Sequence, residues 1–254
     1  MEALGGASGV SNSEISLICQ GLNEQVQAFL GRTLDHARYP YDYLDATYLH
    51  GRLGQNMQVV SRADVVAIGM NALGYREVIG IAEGVSEAEG FWRQFLVKIK
   101  ERGLTGTRLV ISDAHLGLTV AIRRMFQGSS WQRCRVHFLR NLLSHVPKAG
   151  QKMMAAAMKA VFVIQAPEQV RSHWQRVTEM LRKQFPTAVP VMDAARDDVL
   201  AFLHFPQEHW RKIWGTNALE RLNKEIKRRT NVVGILPNDA SIVRLVGSQL
   251  LEQQ

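Results

Sequence analysis

"YPYDYLDATYLHGR", residues 39–52, decides the fold, because it sets a carboxylate inside what otherwise reads as a strand. Aromatic residues and Thr alternate after Pro40, the pattern of an extended segment. On the alternation Tyr43–Asp45–Thr47–Leu49, Asp45 shares a face with mostly bulky side chains. A carboxylate in such a position is costly unless it is paired or holds a metal. The competing reading is a solvated aspartate on an edge strand. Asp42 falls at the start of the segment and on its other face, which makes it the weaker candidate.

Outward from this stretch the pattern repeats. "MQVVSRADVVAIGMN" (57–71) is a second β-like run, "NALGY" a turn and "REVIGIAEG" (76–84) a third strand, so the connections predict an antiparallel meander. "SEAEGFWRQFLVKIKERG" (86–103) reads as a helix with a Ser cap, an apolar stripe of Phe91, Phe95, Val97 and Ile99, and a terminal Gly. "TRLVISD" is a short buried-type strand, "HLGLTVAIRRMF" a helix and "WQRCRVHF" (131–138) a further strand. From about Phe138 to about Trp210 only helical signals occur. "NDASIVRLVGSQLLEQQ" supplies a last helix, and "SNSEISLICQGLNEQVQAFLGR" (11–32) an amphipathic first one with Ile15, Ile18, Leu22, Val26 and Phe29 at helical spacing.

The order β-β-β-α-β-α-β, with Asp45 on the first strand and Asp113 after the fourth, is the plan of a ribonuclease-H-like fold. There the first and fourth strands lie side by side, and a third carboxylate comes from a helix across the sheet. Asp113 follows the apolar run "LVIS", where α/β sheets place ligand-binding groups, and it would equally serve as a helix cap. The helix carrier is "WGTNALERLNKEIKRRTNVVGI" (214–235). On its wheel Leu219, Leu222 and Ile226 form one apolar stripe, and Glu220, Asn223, Lys224 and Lys227 a neighbouring polar one. Glu225 lies about 140° away from Glu220. Glu220 thus suits a metal ligand, with lysines beyond it for phosphates; Asn217 followed three residues later by Glu220 also fits a capping box.

The chain carries 31 Lys plus Arg against 23 Asp plus Glu, a net charge of +8, in 254 residues. With a sequence pI near 9.8, this balance favours an anionic partner, most often nucleic acid. Two cysteines, Cys19 and Cys134, exclude a disulfide framework and a four-cysteine zinc site, and point to a reducing compartment. The first residues show neither a positive n-region nor an apolar run, and no apolar stretch reaches a membrane span. A cytoplasmic, nucleoid-associated protein without a membrane is expected.

Together, "YLDATYL", "LVISDAHLGL", "WQRCRVHFLRN" and "HWRKIWGTNALERLNKEIKRRTNVVGI" resemble the Mutator-type transposases of bacterial insertion sequences, from about Ser11 to the C-terminus. The resemblance implies an α/β ribonuclease-H-like core, a mixed five-stranded sheet flanked by helices and interrupted by an all-helical insertion. It implies a catalytic, metal-binding Asp-Asp-Glu triad of Asp45, Asp113 and Glu220. Two divalent ions, Mg²⁺ with Mn²⁺ as substitute, would be bridged by Asp45 and held singly by Asp113 and Glu220. The reaction implied is cleavage at insertion-sequence ends and transfer of the freed 3′-OH into target DNA, with no nucleotide cofactor. DNA partners would be the terminal inverted repeats and the target, and synapsis implies a homodimer or higher assembly.

The corresponding division is 1–38 as a helical remnant of an N-terminal DNA-binding region, 39–137 as the first part of the core, 138–209 as the helical insertion and 210–254 as the final core helices. Arg221, Lys224, Lys227, Arg228 and Arg229 are expected to contact DNA phosphates. Cys134 and His137 carry the family's Cys-x-x-His element and are expected to support the site. Trp210 and Trp214, one helical turn apart, could stack on unpaired bases or belong to the core. Asp64 puts a charge in a strand where the family is apolar or aromatic. Two rival functions are a catalytically defective relic that only binds DNA, and a nuclease acting on hybrids or junctions.

Overall fold

In a computed structural model, which describes residues 11–53, 58–84, 88–164 and 166–252, the alternating runs become three long strands. β1 (Tyr41–Leu53), β2 (Gln58–Met70) and β3 (Arg76–Gly84) pair antiparallel in sequence order. The turn between β2 and β3 is built by Asn71, whose Oδ1 accepts the N–H groups of Leu73 and Tyr75, and by Gly74 at φ +85°. The apolar run "LVIS" is β4 (Leu109–Ser112), buried along its whole length; it runs parallel to β1, and β5 (Ser130–Arg133) runs parallel to β4. The sheet is therefore mixed, in the order β3-β2-β1-β4-β5, with the first and fourth strands adjacent as the element order predicts.

Alternation divides the strand residues between two cores. Leu44, Val65, Ala67 and Val110 face α2 (Glu89–Glu101) and α3 (Leu116–Met125). The buried stripe of α2 is Trp92, Phe95, Leu96 and Ile99, centred on Trp92 rather than on the expected Phe91 and Val97. The expected cap, Ser86, lies outside the described residues. Tyr41, Tyr43, Leu49, Val66, Ile68 and Ile111 belong to the opposite core. Over it lie α1 (Asn12–Gly31), α9 (Asn217–Val233) and α10 (Asp239–Leu251). α1 opens on a capping box of Ser11 and Glu14. Only its second half packs: Val26 and Phe29 are buried, whereas Ile15 and Ile18 are exposed. At Gly247 a Cβ would lie 2.4 Å from Val26 Cγ1, so the α1–α10 approach needs a glycine there.

Between β5 and α9 the chain makes a helical excursion: α4 (Arg135–Ser144), α5 (Lys148–Val163), α6 (Pro167–Arg182), α7 (Val189–Val199), two 3₁₀ turns and α8 (Trp210–Ile213). Among the described residues no strand interrupts it. Trp174 is its centre, stacked on Phe138 at 5.5 Å and edge-on to Phe162 at 6.5 Å. The excursion is docked on the sheet by polar bonds as well. Gln132 of β5 donates to Val199 O at 2.8 Å and accepts the Phe202 N–H at 2.8 Å. The Tyr41 hydroxyl meets His209 Nδ1 at 2.7 Å, and Tyr43 donates to Lys212 O at 3.0 Å.

One expected strand is shorter than its sequence pattern. "WQRCRVHF" leaves the sheet at Arg133, and helix begins at Arg135. β4 ends at Ser112, opposite Arg133, and the Cys134 N–H closes the ladder on Ser112 O at 2.6 Å. Beyond that rung there is no β4 strand for Arg135–Phe138 to pair with. Asp64 sits in β2 opposite Glu83, beside the buried Arg62–Glu83 ion pair at 3.0 Å. Its charge is thus part of a charged cluster on the sheet. Among the described residues no helix is long and apolar enough to cross a membrane.

Candidate active site

Asp45 points from the middle of β1 into the core beneath α9 and is only 6% exposed. One oxygen, Oδ2, accepts the Asn223 side-chain amide at 2.9 Å. In the parallel β1–β4 register the last pair is Tyr43 with Ile111, and Asp45 and Asp113 each follow that pair by two residues, Asp113 just past the end of β4. Asp113 Oδ1 accepts the His115 N–H at 3.2 Å. The cap position of α3 is His115, so Asp113 precedes the helix instead of capping it. Burial pushes Asp45 up to about 6; nearby His137 opposes this, while Asp113 and Glu220 add to it. His137, Asp113 and Glu220 therefore all act on Asp45. Asp42 is on the other face, buried, held by the Thr107 hydroxyl at 2.7 Å and raised to about 7 by burial.

Glu220 is delivered by the amphipathic logic of α9. Leu219 and Ile226 are fully buried and Leu222 packs against the same core, which fixes the rotation of the helix. The capping-box reading of Glu220 does not hold. α9 starts at Asn217, so the cap position is Thr216, and no side-chain cap bond forms there. Glu220 Oε1 is buried and lacks a hydrogen-bond partner among the described residues. It lies 3.8 Å from His137 Nε2. Glu225 instead bonds to Arg228 at 2.7 Å and Arg229 at 3.1 Å, away from the carboxylate site.

Cys134 and His137 occupy the turn from β5 into α4. Cys134 is buried, and its sulfur accepts both the Thr216 N–H at 3.4 Å and the Thr216 hydroxyl at 3.3 Å. Burial alone would raise the thiol; hydrogen bonds with His137 and Thr216 outweigh it and lower the thiol overall. The same bond is the main reason that His137 rises to about 9, with burial opposing and Asp45 and Asp113 assisting. The Arg135 N–H adds a bond to Trp214 O at 3.0 Å. After the helical excursion, the chain is thus stapled back to β5 one residue before the helix that carries Glu220. Among the described residues, one set of three possible metal ligands lies mutually within 4.8 Å: Cys134, His137 and Glu220.

Trp210 is 6% exposed, edge-on to Phe202, with its indole N–H on Phe205 O at 2.8 Å. It is a core residue, and its burial leaves no open ring face for the expected base stacking. Trp214 is half-buried, and the Arg135 guanidinium covers its ring at 3.8 Å from the centroid. The expected phosphate contacts divide. Arg221 and Lys224 are exposed beside Glu220, and Lys227 is exposed further along. Arg228 and Arg229 are engaged by Glu225, and Arg229 also by Glu252 at 3.1 Å. Asn223 and Thr216 were not singled out by sequence reasoning. Asn223 was legible only as a member of Glu220's stripe; for Thr216 no sequence signal existed.

Comparison with known proteins adds relatives to this geometry. The family described as "Transposase, Mutator family" matches residues 1–254. A transposase for insertion sequence element IS1081 of Mycobacterium tuberculosis is 40% identical over 248 residues, covering 98% of this chain and 59% of that protein. The transposase for IS256 in transposon Tn4001 of Staphylococcus aureus is 36% identical over 254 residues, 99% of this chain and 64% of that protein. A third, for ISRM5 of Rhizobium meliloti, is 34% identical over 242 residues, 95% of this chain and 60% of that protein. The chain therefore spans about three fifths of the length of the relatives it matches.

Proposed function

The chain belongs to the Mutator family of transposases, and from that membership we propose that it carries out metal-dependent cleavage at insertion-sequence ends and 3′-OH strand transfer into target DNA. The observation that carries the reading is the convergence of Asp45, Asp113 and Glu220. The support for it is that Asp113, just past β4, and Glu220 on α9 both act electrostatically on Asp45 of β1. A ribonuclease-H-like core is supported by the sheet order and by the adjacency of β1 and β4.

The residues present fit a hard divalent ion. Carboxylate oxygens are the donors such ions prefer, and the buried, unpartnered Oε1 of Glu220 is one that an ion could take up. Cys134 is less suited, because Thr216 and His137 already engage its sulfur. Asp45, Asp113 and Glu220 would hold the ions. When bound, two such ions activate the attacking oxygen and stabilise the leaving oxygen of an in-line displacement at phosphorus.

The chain's own part is preorganisation. Asn223 fixes one oxygen of Asp45, and burial removes competing water from it. His137 supplies positive charge among the three carboxylates and lies against Glu220. Water displaces the 3′-oxygen at an element end, and that 3′-OH then displaces a 3′-oxygen in the target strand. Each step breaks one phosphodiester bond as it forms one bond to phosphorus.

The test compares Glu220→Gln with Glu225→Gln in Mg²⁺- or Mn²⁺-dependent 3′-end joining to a plasmid, beside DNA binding and melting. Glu220→Gln is expected to fold and bind DNA while joining falls at least about a hundredfold, about 2.7 kcal/mol of barrier. Glu225→Gln should stay within about threefold, about 0.7 kcal/mol. Robust joining by the Glu220 variant would overturn the assignment, and equal loss in both would do the same.

A further inference from the structure

Beside Glu220 opens a cavity of about 540 Å³ lined by five cations, Arg76, Arg211, Lys212, Arg221 and Lys224, together with Asn217 and Glu220 itself. We infer that this cavity is a clamp for consecutive phosphates of the DNA strand that flanks the scissile bond; the inference rests on the transposase reading above.

Three separate parts of the chain meet in it. Arg76 is the first residue of β3, Arg211 and Lys212 belong to α8, and Arg221 and Lys224 flank Glu220 on α9. Their placement follows from the fold. Tyr43 holds Lys212 O at 3.0 Å, which seats α8 over the start of the sheet. A Cβ on Gly74 would lie 3.6 Å from Lys212 Nζ, so the ammonium rests on the β2–β3 turn. The Arg76 guanidinium lies 5.8 Å from the centroid of the Tyr43 ring. Tyr43 thus bonds the Lys212 backbone and lies near the Arg76 guanidinium, and it stands two residues before Asp45 in β1.

The charges are uncompensated. All five side chains are exposed, and none has an ion-pair partner among the described residues. The one carboxylate in the cavity, Glu220, is in ion-pair range of His137. Gathering like charges raises the energy of the free protein, and an anion lowers it again. By contrast Arg228 and Arg229, which look equally basic in the sequence, already bond to Glu225. A phosphate there would have to compete with that carboxylate. Arginine forks and lysine ammonium groups without partners are the donors that phosphate oxygens take. Contacts to phosphate here would fix position rather than sequence.

The experiment measures the salt dependence of binding to a random-sequence duplex in EDTA, which separates binding from metal-dependent chemistry. Each lost phosphate contact flattens the slope of log K against log salt by about 0.9. The double variant Arg76→Gln/Lys212→Gln is expected to flatten it by about 1.8, and Arg228→Gln/Arg229→Gln by less than about 0.5. Arg76→Gln alone, expected to give about 0.9, serves if the double variant does not fold. An unchanged slope for the clamp variants would overturn the inference, as would a larger effect from the Arg228/Arg229 pair. If the clamp slopes behave as expected but the parent joins no DNA, the clamp stands and the catalytic reading fails. If joining is intact and the slope does not move, only the clamp fails.

Discussion

Asn223 and Asp45 are 178 positions apart and share one hydrogen bond of 2.9 Å inside the core. The alternation in β1 was enough to mark Asp45 as a carboxylate on an apolar face, and the wheel of α9 was enough to mark Glu220. The bond between Asp45 and Asn223 was not legible, because periodicity gives the face of an element and not the residue opposite it. The capping-box pattern at Asn217 and Glu220 misled for a related reason. The motif depends on a helix start one residue later than the one adopted. Asn223→Ala would leave Asp45 buried with its amide donor removed. Joining at saturating DNA is expected to slow about tenfold, about 1.4 kcal/mol, with DNA affinity within about twofold. A loss confined to affinity, or no loss in rate, would show that Asn223 does not position Asp45.

At the scale of elements, strands and helices were legible where one face is buried and the other is not. β1, β2, β3 and the helical excursion follow their patterns. The end of β5 did not, because a strand needs a partner, and the length of β4 is not written in the sequence of β5. At that junction Cys134 and Thr216 join β5 to the start of α9. The bonds explain how a helix reached after a long excursion is set down with Glu220 against His137. Thr216→Val removes the hydroxyl donor and keeps the shape, while Cys134→Ala removes the acceptor of both bonds. Cys134→Ala is expected to lower the melting temperature by about 3–6 °C, on the order of 1–2 kcal/mol in a chain of this size. Joining should fall further than the loss of folded protein accounts for, and Cys134→Ser should recover part of it. Melting curves and single-turnover joining, normalised to folded protein, decide. Loss of joining that tracks the folded fraction alone would reduce the junction to a packing contact.

Over the whole molecule, the sheet separates two cores, and the candidate site lies on the face covered by α9. The net charge of +8 pointed to an anionic partner without saying where it binds. Sequence reading put that charge along α9; in three dimensions the unpaired cations gather from β3, α8 and the start of α9, which no linear pattern joins. In the proposed function Asp45, Asp113 and Glu220 form one divalent-metal centre. Calorimetric titration of Mn²⁺ into the chain with duplex DNA tests it most directly, run in parallel on Asp45→Asn, Asp113→Asn, Glu220→Gln and Cys134→Ala. The expected result is Mn²⁺ binding by the parent, weakening of at least about tenfold, about 1.4 kcal/mol, in each carboxylate variant, and little change in Cys134→Ala. Mn²⁺ affinity that is indifferent to all three carboxylates, or that is lost instead with Cys134, would contradict it.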